Sequence, residues 1–139
     1  MVGRSENWRR PFAFGAPFVK AGGGRYGPRQ MKIHPLITTT KELTALVSRM
    51  SAHDFVAVDT EFMRENTYWP DLCLLQIATP DEAAAIDPKA DGLDLSPLLE
   101  LLVENHDVLK VFHAGGQDLE IIHNLTRKVP NPLFDTQIP

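Results

Sequence analysis

The sequence predicts one α/β domain whose sheet begins with three antiparallel strands, and three observations lead to this prediction. Short apolar segments alternate along the chain with segments whose apolar residues recur at helical spacing. The first three strand-like segments are joined by polar or proline-containing turns, which favour antiparallel neighbours. With 139 residues and 43% hydrophobic content, the chain can bury one core.

The first half of the predicted domain contains one helix and three strands. Residues 40–52 carry apolar side chains on one helical face, and Thr39 or Thr40 stands at the N-cap position. Three strands are then predicted, at residues 55–60, 72–78 and 83–87. We expect these strands to form a meander because only turn-like segments separate them.

The second half begins with an apolar helix. Ser96 is its predicted N-cap, Pro97 its first helical residue, and it ends at about Asn105. A fourth strand follows at residues 108–112. A connection that contains a helix allows this strand to join the sheet in parallel.

Charge divides the chain into two parts. Residues 1–30 carry six basic groups and one acidic group, a net charge of +5, whereas residues 31–139 carry 8 basic and 17 acidic groups, a net charge of −9. The first part also contains a triple-glycine run and no sustained periodicity, which predicts a disordered basic N-terminal extension. Two interpretations stay open: the extension adds non-specific attraction to a polyanion, or it is an upstream translation artefact before Met31.

The composition also argues against two classes of protein. The single cysteine, Cys73, excludes a disulfide framework. No apolar stretch approaches the roughly 20 residues of a membrane-spanning helix, and the N-terminus lacks the apolar core of a secretory signal. We therefore expect a cytoplasmic protein that binds no membrane.

Three acidic residues lie near the predicted ends of two strands. Asp59 and Glu61 are two residues apart in an apolar strand, so their side chains point to the same face of the sheet. Asp118 falls in the first turn of a helix predicted at residues 117–126, where the helix dipole alone also favours an acid. Neighbouring carboxylates repel unless a cation lies between them, and Mg²⁺ and Mn²⁺ prefer oxygen ligands. The pattern therefore predicts a divalent-metal phosphodiesterase site.

Five segments of the chain resemble, in order and in spacing, the N-terminal part of a ribonuclease D catalytic domain. They are Val58–Phe62, Leu74–Ile77, Ile86–Pro88, Lys110–Leu119 and Phe134–Gln137. The resemblance extends from about residue 36 to the end of the chain. It implies a DEDD-type 3′-5′ exonuclease with a ribonuclease H-like fold, in which a mixed sheet of three antiparallel strands followed by parallel strands is flanked by helices.

The resemblance also implies roles for the three acids. Asp59 and Glu61 correspond to the catalytic metal ligands of the family's first motif, and Asp118 to the ligand of the second. Together they would hold two divalent ions, Mg²⁺ or Mn²⁺. The Asp and Tyr of the family's third motif lie beyond the end of this sequence, so residues 31–139 are expected to be a partial exonuclease domain, truncated at its C-terminus and weakly active or inactive. Asp135 matches a different family segment and is expected to be a cap.

The function implied by the resemblance is 3′-5′ exoribonuclease activity on RNA 3′ ends, of the tRNA-precursor-processing type, which releases nucleoside 5′-monophosphates. No obligate protein partner is inferred. Phe62, Tyr68 and His113 are the expected substrate contacts, since aromatic rings stack on the bases of single strands. Each also has a structural interpretation, as a packing residue or as a hydrogen-bonded histidine.

Two other functions stay open. One is a non-catalytic nucleic-acid-binding module with the same fold. The other is a nucleotide-binding α/β protein in which residues 113–117, including two adjacent glycines, cradle a phosphate with backbone N–H groups.

Overall fold

The computed structural model of the protein describes residues 30–138. The predicted basic extension, residues 1–30, therefore lies outside the described residues apart from Gln30. The helices found between residues 30 and 138 are all shorter than a membrane span requires.

One mixed sheet organises this part of the chain. The elements are, in order, β1 (Lys32–Ile33), α1 (Thr40–Met50), β2 (Phe55–Met63), β3 (Asp71–Ala78), β4 (Glu82–Ile86), α2 (Ser96–Val103), β5 (Leu109–Phe112), α3 (Gly116–Thr126) and β6 (Leu133–Asp135). The strand order is β1-β4-β3-β2-β5-β6. β2, β3 and β4 are antiparallel neighbours, whereas β1, β5 and β6 join the sheet in parallel. The predicted class, three antiparallel strands followed by parallel strands with flanking helices, is confirmed.

Among the described residues, the helices cover one face of the sheet, which we call the core face. Along β2 the side chains of Val56, Val58 and Thr60 point to this face and are buried, whereas those of Asp59 and Glu61 point the other way. Apolar side chains from all three helices join the core face in one cluster, which includes Leu43, Leu46, Leu75, Ile77, Ile86, Leu98, Phe112 and Ile122. The opposite face, which we call the open face, is only half-buried along the central strands.

The two predicted N-caps have different outcomes. Thr39 caps α1, since its Oγ1 accepts the backbone N–H of Glu42 at 3.3 Å, and the helix ends at Met50, two residues before the predicted end. The prediction that Ser96 caps α2 is wrong, because Ser96 is the first helical residue and Leu95 precedes it as the cap. Asp94 explains the difference, because its Oδ1 accepts both the Oγ–H of Ser96 at 2.6 Å and its backbone N–H at 2.9 Å.

β2 extends three residues beyond its predicted end, to Met63. Its antiparallel pairing with β3 continues as far as Met63 opposite Asp71, and this ladder outweighs the low β-propensity of the acids within it. The register shifts between Glu61 and Phe62, a bulge of the kind that often accompanies an active site. The first two predicted ligands therefore lie on a paired strand rather than in a loop.

Candidate active site

The predicted site lies where β5 turns away from β2. The last paired positions of these parallel strands are Ala57 and Val111, and β5 ends one residue later. Asp59 and Thr60 therefore lie just beyond the part of β2 that pairs with β5, although both still pair with β3. The chain after β5 turns into α3, whose first turn carries Asp118 back toward β2.

The Asp118 carboxylate is buried against β2. Its Oδ1 accepts two hydrogen bonds from Thr60, one from the backbone N–H at 2.9 Å and one from the side-chain hydroxyl at 2.5 Å. Asp118 thus supplies an acceptor for β2 at a position that β5 no longer reaches. This contact connects the two predicted motifs directly.

Asp59 is half-buried on the open face, beside Asp118. Burial raises the pKa of the Asp59 carboxyl, and the negative charge of Asp118 raises it further, while the Thr60 backbone N–H partly offsets both effects. The two carboxylates are therefore close enough to repel each other when both are ionised. The structure brings these two predicted ligands together.

Glu61 lies two residues further along β2 and is exposed. Within residues 30–138, no group of three or more His, Cys, Asp or Glu side chains is arranged to hold a metal ion. In the described geometry, Asp59 and Asp118 therefore form a pair of carboxylates. Glu61 lies on the same strand as Asp59 but outside this pair. The ligand role of Glu61 stays a prediction.

The chemistry of these side chains fits a hard divalent cation. All three donors are carboxylates, the ligand type that Mg²⁺ and Mn²⁺ favour. The ion pairs formed among residues 30–138 involve other acids, so no Lys, Arg or His in this part of the chain neutralises Asp59, Glu61 or Asp118. A cation between Asp59 and Asp118 would relieve the repulsion between their two carboxylates.

Asp135 holds the turn that carries Asp118. Its two carboxylate oxygens accept the backbone N–H groups of Ala114 at 2.9 Å and Gly115 at 2.8 Å, and Oδ1 also accepts that of Gln137 at 2.9 Å. Ala114 has a φ of 55°, which side-chain-bearing residues rarely adopt and which these bonds stabilise. Asp135 was expected to be a cap, but no local pattern indicated that it caps a turn about twenty residues earlier.

Two of the backbone N–H groups predicted to cradle a phosphate are already hydrogen-bonded. The N–H groups of Ala114 and Gly115 already donate to Asp135, so they are not free to bind a phosphate. Gly115 has a packing role instead, since a Cβ on it would lie 2.6 Å from the Cβ of Phe112. Residues 113–117 therefore offer fewer free N–H groups to the predicted nucleotide-binding alternative, which stays a prediction.

The three expected substrate contacts lie in different surroundings. Phe62 is partly buried against the core, whereas Tyr68 is 83% exposed and packs edge-to-face against Trp69 with ring centroids 4.7 Å apart. The imidazole of His113 is hydrogen-bonded through Nδ1 to Thr136 Oγ1 at 2.7 Å. Tyr68 and His113 are therefore exposed at the surface, whereas Phe62 is half-buried.

Comparisons with known proteins agree with the fold. The 3′-5′ exonuclease family matches residues 35–139 of this chain. Over 108 residues the chain is 71% identical to ribonuclease D of Sphingobium indicum and 68% identical to ribonuclease D of Zymomonas mobilis; the matches cover 78% of this chain and 28% of each relative. The chain thus spans less than a third of the length of these curated relatives.

A solved structure shows the same architecture. Escherichia coli RNase D, described as an exoribonuclease involved in structured RNA processing, matches with a TM-score of 0.69 and 39% identity. The match covers 75% of this chain and 27% of that protein. The family match over residues 35–139 includes β2 and α3, which carry the three predicted acids.

Proposed function

Because the chain belongs to the 3′-5′ exonuclease family, we propose that it supplies the first metal-binding acids of a ribonuclease D-like 3′-5′ exoribonuclease. The observation that carries this proposal is the pair of hydrogen bonds from Thr60, the residue after Asp59, to the Asp118 carboxylate, which link the two acidic motifs. Neither Asp59 nor Asp118 forms an ion pair among the described residues. The matched segment makes up 28% of each of these ribonuclease D relatives, so exoribonuclease activity is a proposal for this chain.

In this proposal Asp59, Glu61 and Asp118 hold two divalent ions, Mg²⁺ or Mn²⁺. When bound, the ions supply charge neutralisation at the scissile phosphate, activation of the attacking water and stabilisation of the leaving 3′ oxygen. The chain's own residues supply the rigid frame, since β2 fixes the first two acids and Thr60 fixes the third. The exposed position of Glu61 leaves it accessible to an arriving ion.

The proposed substrate is the 3′ end of an RNA, with tRNA precursors as the physiological class and nucleoside 5′-monophosphates as products. Support for an RNA substrate comes from the Escherichia coli relative, which is described as an exoribonuclease. Phe62, Tyr68 and His113 are proposed to contact the terminal nucleotides. The exposed ring of Tyr68 is suited to stacking on a base, a contact worth about 1–3 kcal/mol per base in single-strand binders.

The test uses a chimera, because the chain spans 28% of the length of its ribonuclease D relatives and the proposed activity is that of the whole enzyme. The segment that follows the matched region in Sphingobium indicum ribonuclease D is joined after Pro139. We expect a 5′-labelled single-stranded RNA to be shortened stepwise from its 3′ end, with release of nucleoside 5′-monophosphates that requires Mg²⁺ or Mn²⁺ and stops with EDTA. Asp59→Asn should abolish the release, and Asp54→Asn, at the exposed start of β2, should not.

The proposed function fails if a folded chimera releases no mononucleotides, or if release is unchanged by Asp59→Asn. The 139-residue chain alone is expected to be weakly active or inactive in the same assay. Rapid, Asp59-dependent release by that chain would show that the family's third motif is not required.

One observation favours a second candidate, a non-catalytic nucleic-acid-binding module with the same fold. Within the described residues, the acids do not form a group of three that could hold a metal ion. A module that only binds nucleic acid would not need such a group. Such a module would bind RNA equally well with Mg²⁺ or with EDTA, and its chimera would leave the RNA intact. Binding and degradation measured on the same RNA separate the two candidates.

A further inference from the structure

We propose that Thr60 is a positioning residue, which fixes the orientation of the Asp118 carboxylate. Thr60 directs two donors to one oxygen of Asp118, its backbone N–H at 2.9 Å and its hydroxyl at 2.5 Å. Both residues are 7% exposed. Two donors on Oδ1 restrict rotation about the Cβ–Cγ bond and select one side-chain rotamer, which a single bond would do less well.

Strand alternation explains why residue 60 has this role. In the Asp-Thr-Glu segment the two acids point to the open face, so Thr60 is the residue between them that points to the core face and to α3. A residue here must fill buried space and also reach Asp118 with a donor. Thr does both, because its methyl group is apolar while its hydroxyl donates.

The contact is not a by-product of helix capping. An acid in the first turn of a helix commonly accepts the free N–H groups of its own helix. Within residues 30–138, the Asp118 carboxylate instead accepts only from Thr60, and it forms no ion pair. Thr60 therefore supplies all the hydrogen bonds that the Asp118 carboxylate receives from this part of the chain.

One oxygen of Asp118 is left available. Oδ1 is held by Thr60, whereas Oδ2 accepts no hydrogen bond from residues 30–138. If Asp118 is a metal ligand, as the proposed function requires, Thr60 decides which oxygen is presented to the ion. Partners that orient a ligating carboxylate typically change metal affinity by about 10–100-fold.

The first test needs no metal and no substitution. In the wild-type 139-residue chain, the Thr60 hydroxyl proton should be protected from solvent exchange and should show an NMR scalar coupling to Cγ of Asp118. Side-chain couplings should place Asp118 in a single rotamer. A rapidly exchanging hydroxyl with no coupling would overturn the proposal, whatever the activity of the protein.

The second test compares matched variants. Thr60→Val keeps the shape and the backbone N–H but removes the hydroxyl donor, and Thr60→Ser keeps both donors. We expect Thr60→Val to give rotamer averaging at Asp118 and Mn²⁺ binding, measured by EPR titration, weaker by roughly tenfold. Thr60→Ser should restore both values. Thr79→Val, which removes another buried hydroxyl at the β3–β4 turn, should change neither.

The outcomes separate this inference from the proposed function. If Thr60→Val leaves the Asp118 rotamer fixed, or weakens Mn²⁺ binding no more than Thr79→Val does, Thr60 is not a positioning residue. If the wild-type chain binds no Mn²⁺ but Thr60→Val still releases the Asp118 rotamer, the positioning role holds and the metal-binding function fails.

Discussion

The two faces of the sheet differ in burial and in chemistry. On the core face, Val56 and Val58 are almost completely buried under the helices, whereas on the open face Asp59 is half-buried and Glu61 is exposed. Both sets belong to the same strand, so the alternation of β2 separates the residues that stabilise the fold from those that carry the proposed chemistry. Thr60 is the exception, since it is buried on the core face and contacts Asp118.

The largest effect is expected from substitutions at two adjacent leucines of β3, which compare the stability contributed by the two faces of the sheet. Leu75 is 1% exposed on the core face, and Leu74 is half-buried on the other. Leu75→Ala should lower the free energy of unfolding by about 2–5 kcal/mol, and Leu74→Ala by less than about 1 kcal/mol. Chemical denaturation measures both. Equal losses would show that the open face is covered in solution.

A second matched pair tests the turn that carries Asp118. Gly115→Ala would bring a Cβ within 2.6 Å of Phe112, whereas Gly116 has open space around it. We expect Gly115→Ala to cost about 1–3 kcal/mol, as overpacked sites do. Gly116→Ala should be neutral or slightly stabilising, since Ala favours a helix more than Gly. Similar melting temperatures for the two variants would refute the close approach.

The third prediction concerns acid stability. Hydrogen bonds from the backbone N–H groups of Gln137, Gly115 and Ala114 lower the pKa of Asp135 below its ordinary value of 3.8. The stability that this carboxylate contributes is therefore present above pH 3.8 and is lost as the pH falls through the lowered pKa. Asp135→Asn should lower the melting temperature at neutral pH, by an amount that shrinks in strong acid. Asp91→Asn, at an exposed position, is the control, and a pH-independent difference would contradict the assignment.

The smallest expected effect has the opposite sign. The pKa of Asp59 is raised from 3.8, first by burial and then by Asp118, so the metal-free fold loses stability as the pH rises from 3.8 through that raised pKa. Asp59→Asn cannot ionise and should melt roughly 1–3 °C higher than the wild type at neutral pH, with no difference in strong acid. A clearly lower melting temperature at neutral pH would show that Asp59 stabilises the metal-free fold.

Much of the fold could be predicted because its signals are local. The helical spacing of apolar residues located α1 to within two residues at its C-terminal end, and the three meander strands were found from short apolar runs between turns. β1 and β6 escaped prediction because two or three residues carry no periodicity. These strands form only because longer strands offer them partners in the sheet.

The contacts of the candidate site could be predicted only in part. Strand alternation correctly indicated that Asp59 and Glu61 share a face. The bonds from Thr60 to Asp118 and from the Ala114–Gly115 turn to Asp135 join residues that are far apart in sequence, so no local pattern reveals them. The wrong prediction for Ser96 has a local cause instead. Asp94, only two residues away, accepts the hydroxyl that the prediction assigned to the helix cap.

Mn²⁺ titration of the 139-residue chain, followed by EPR, tests most directly whether the acids of β2 and Asp118 of α3 bind divalent metal. We predict saturable binding by the wild type, at least a roughly tenfold weaker affinity for Asp59→Asn and for Asp118→Asn, and an unchanged affinity for Asp54→Asn. Equal Mn²⁺ binding by all four proteins, or none by the folded wild type, would contradict the claim.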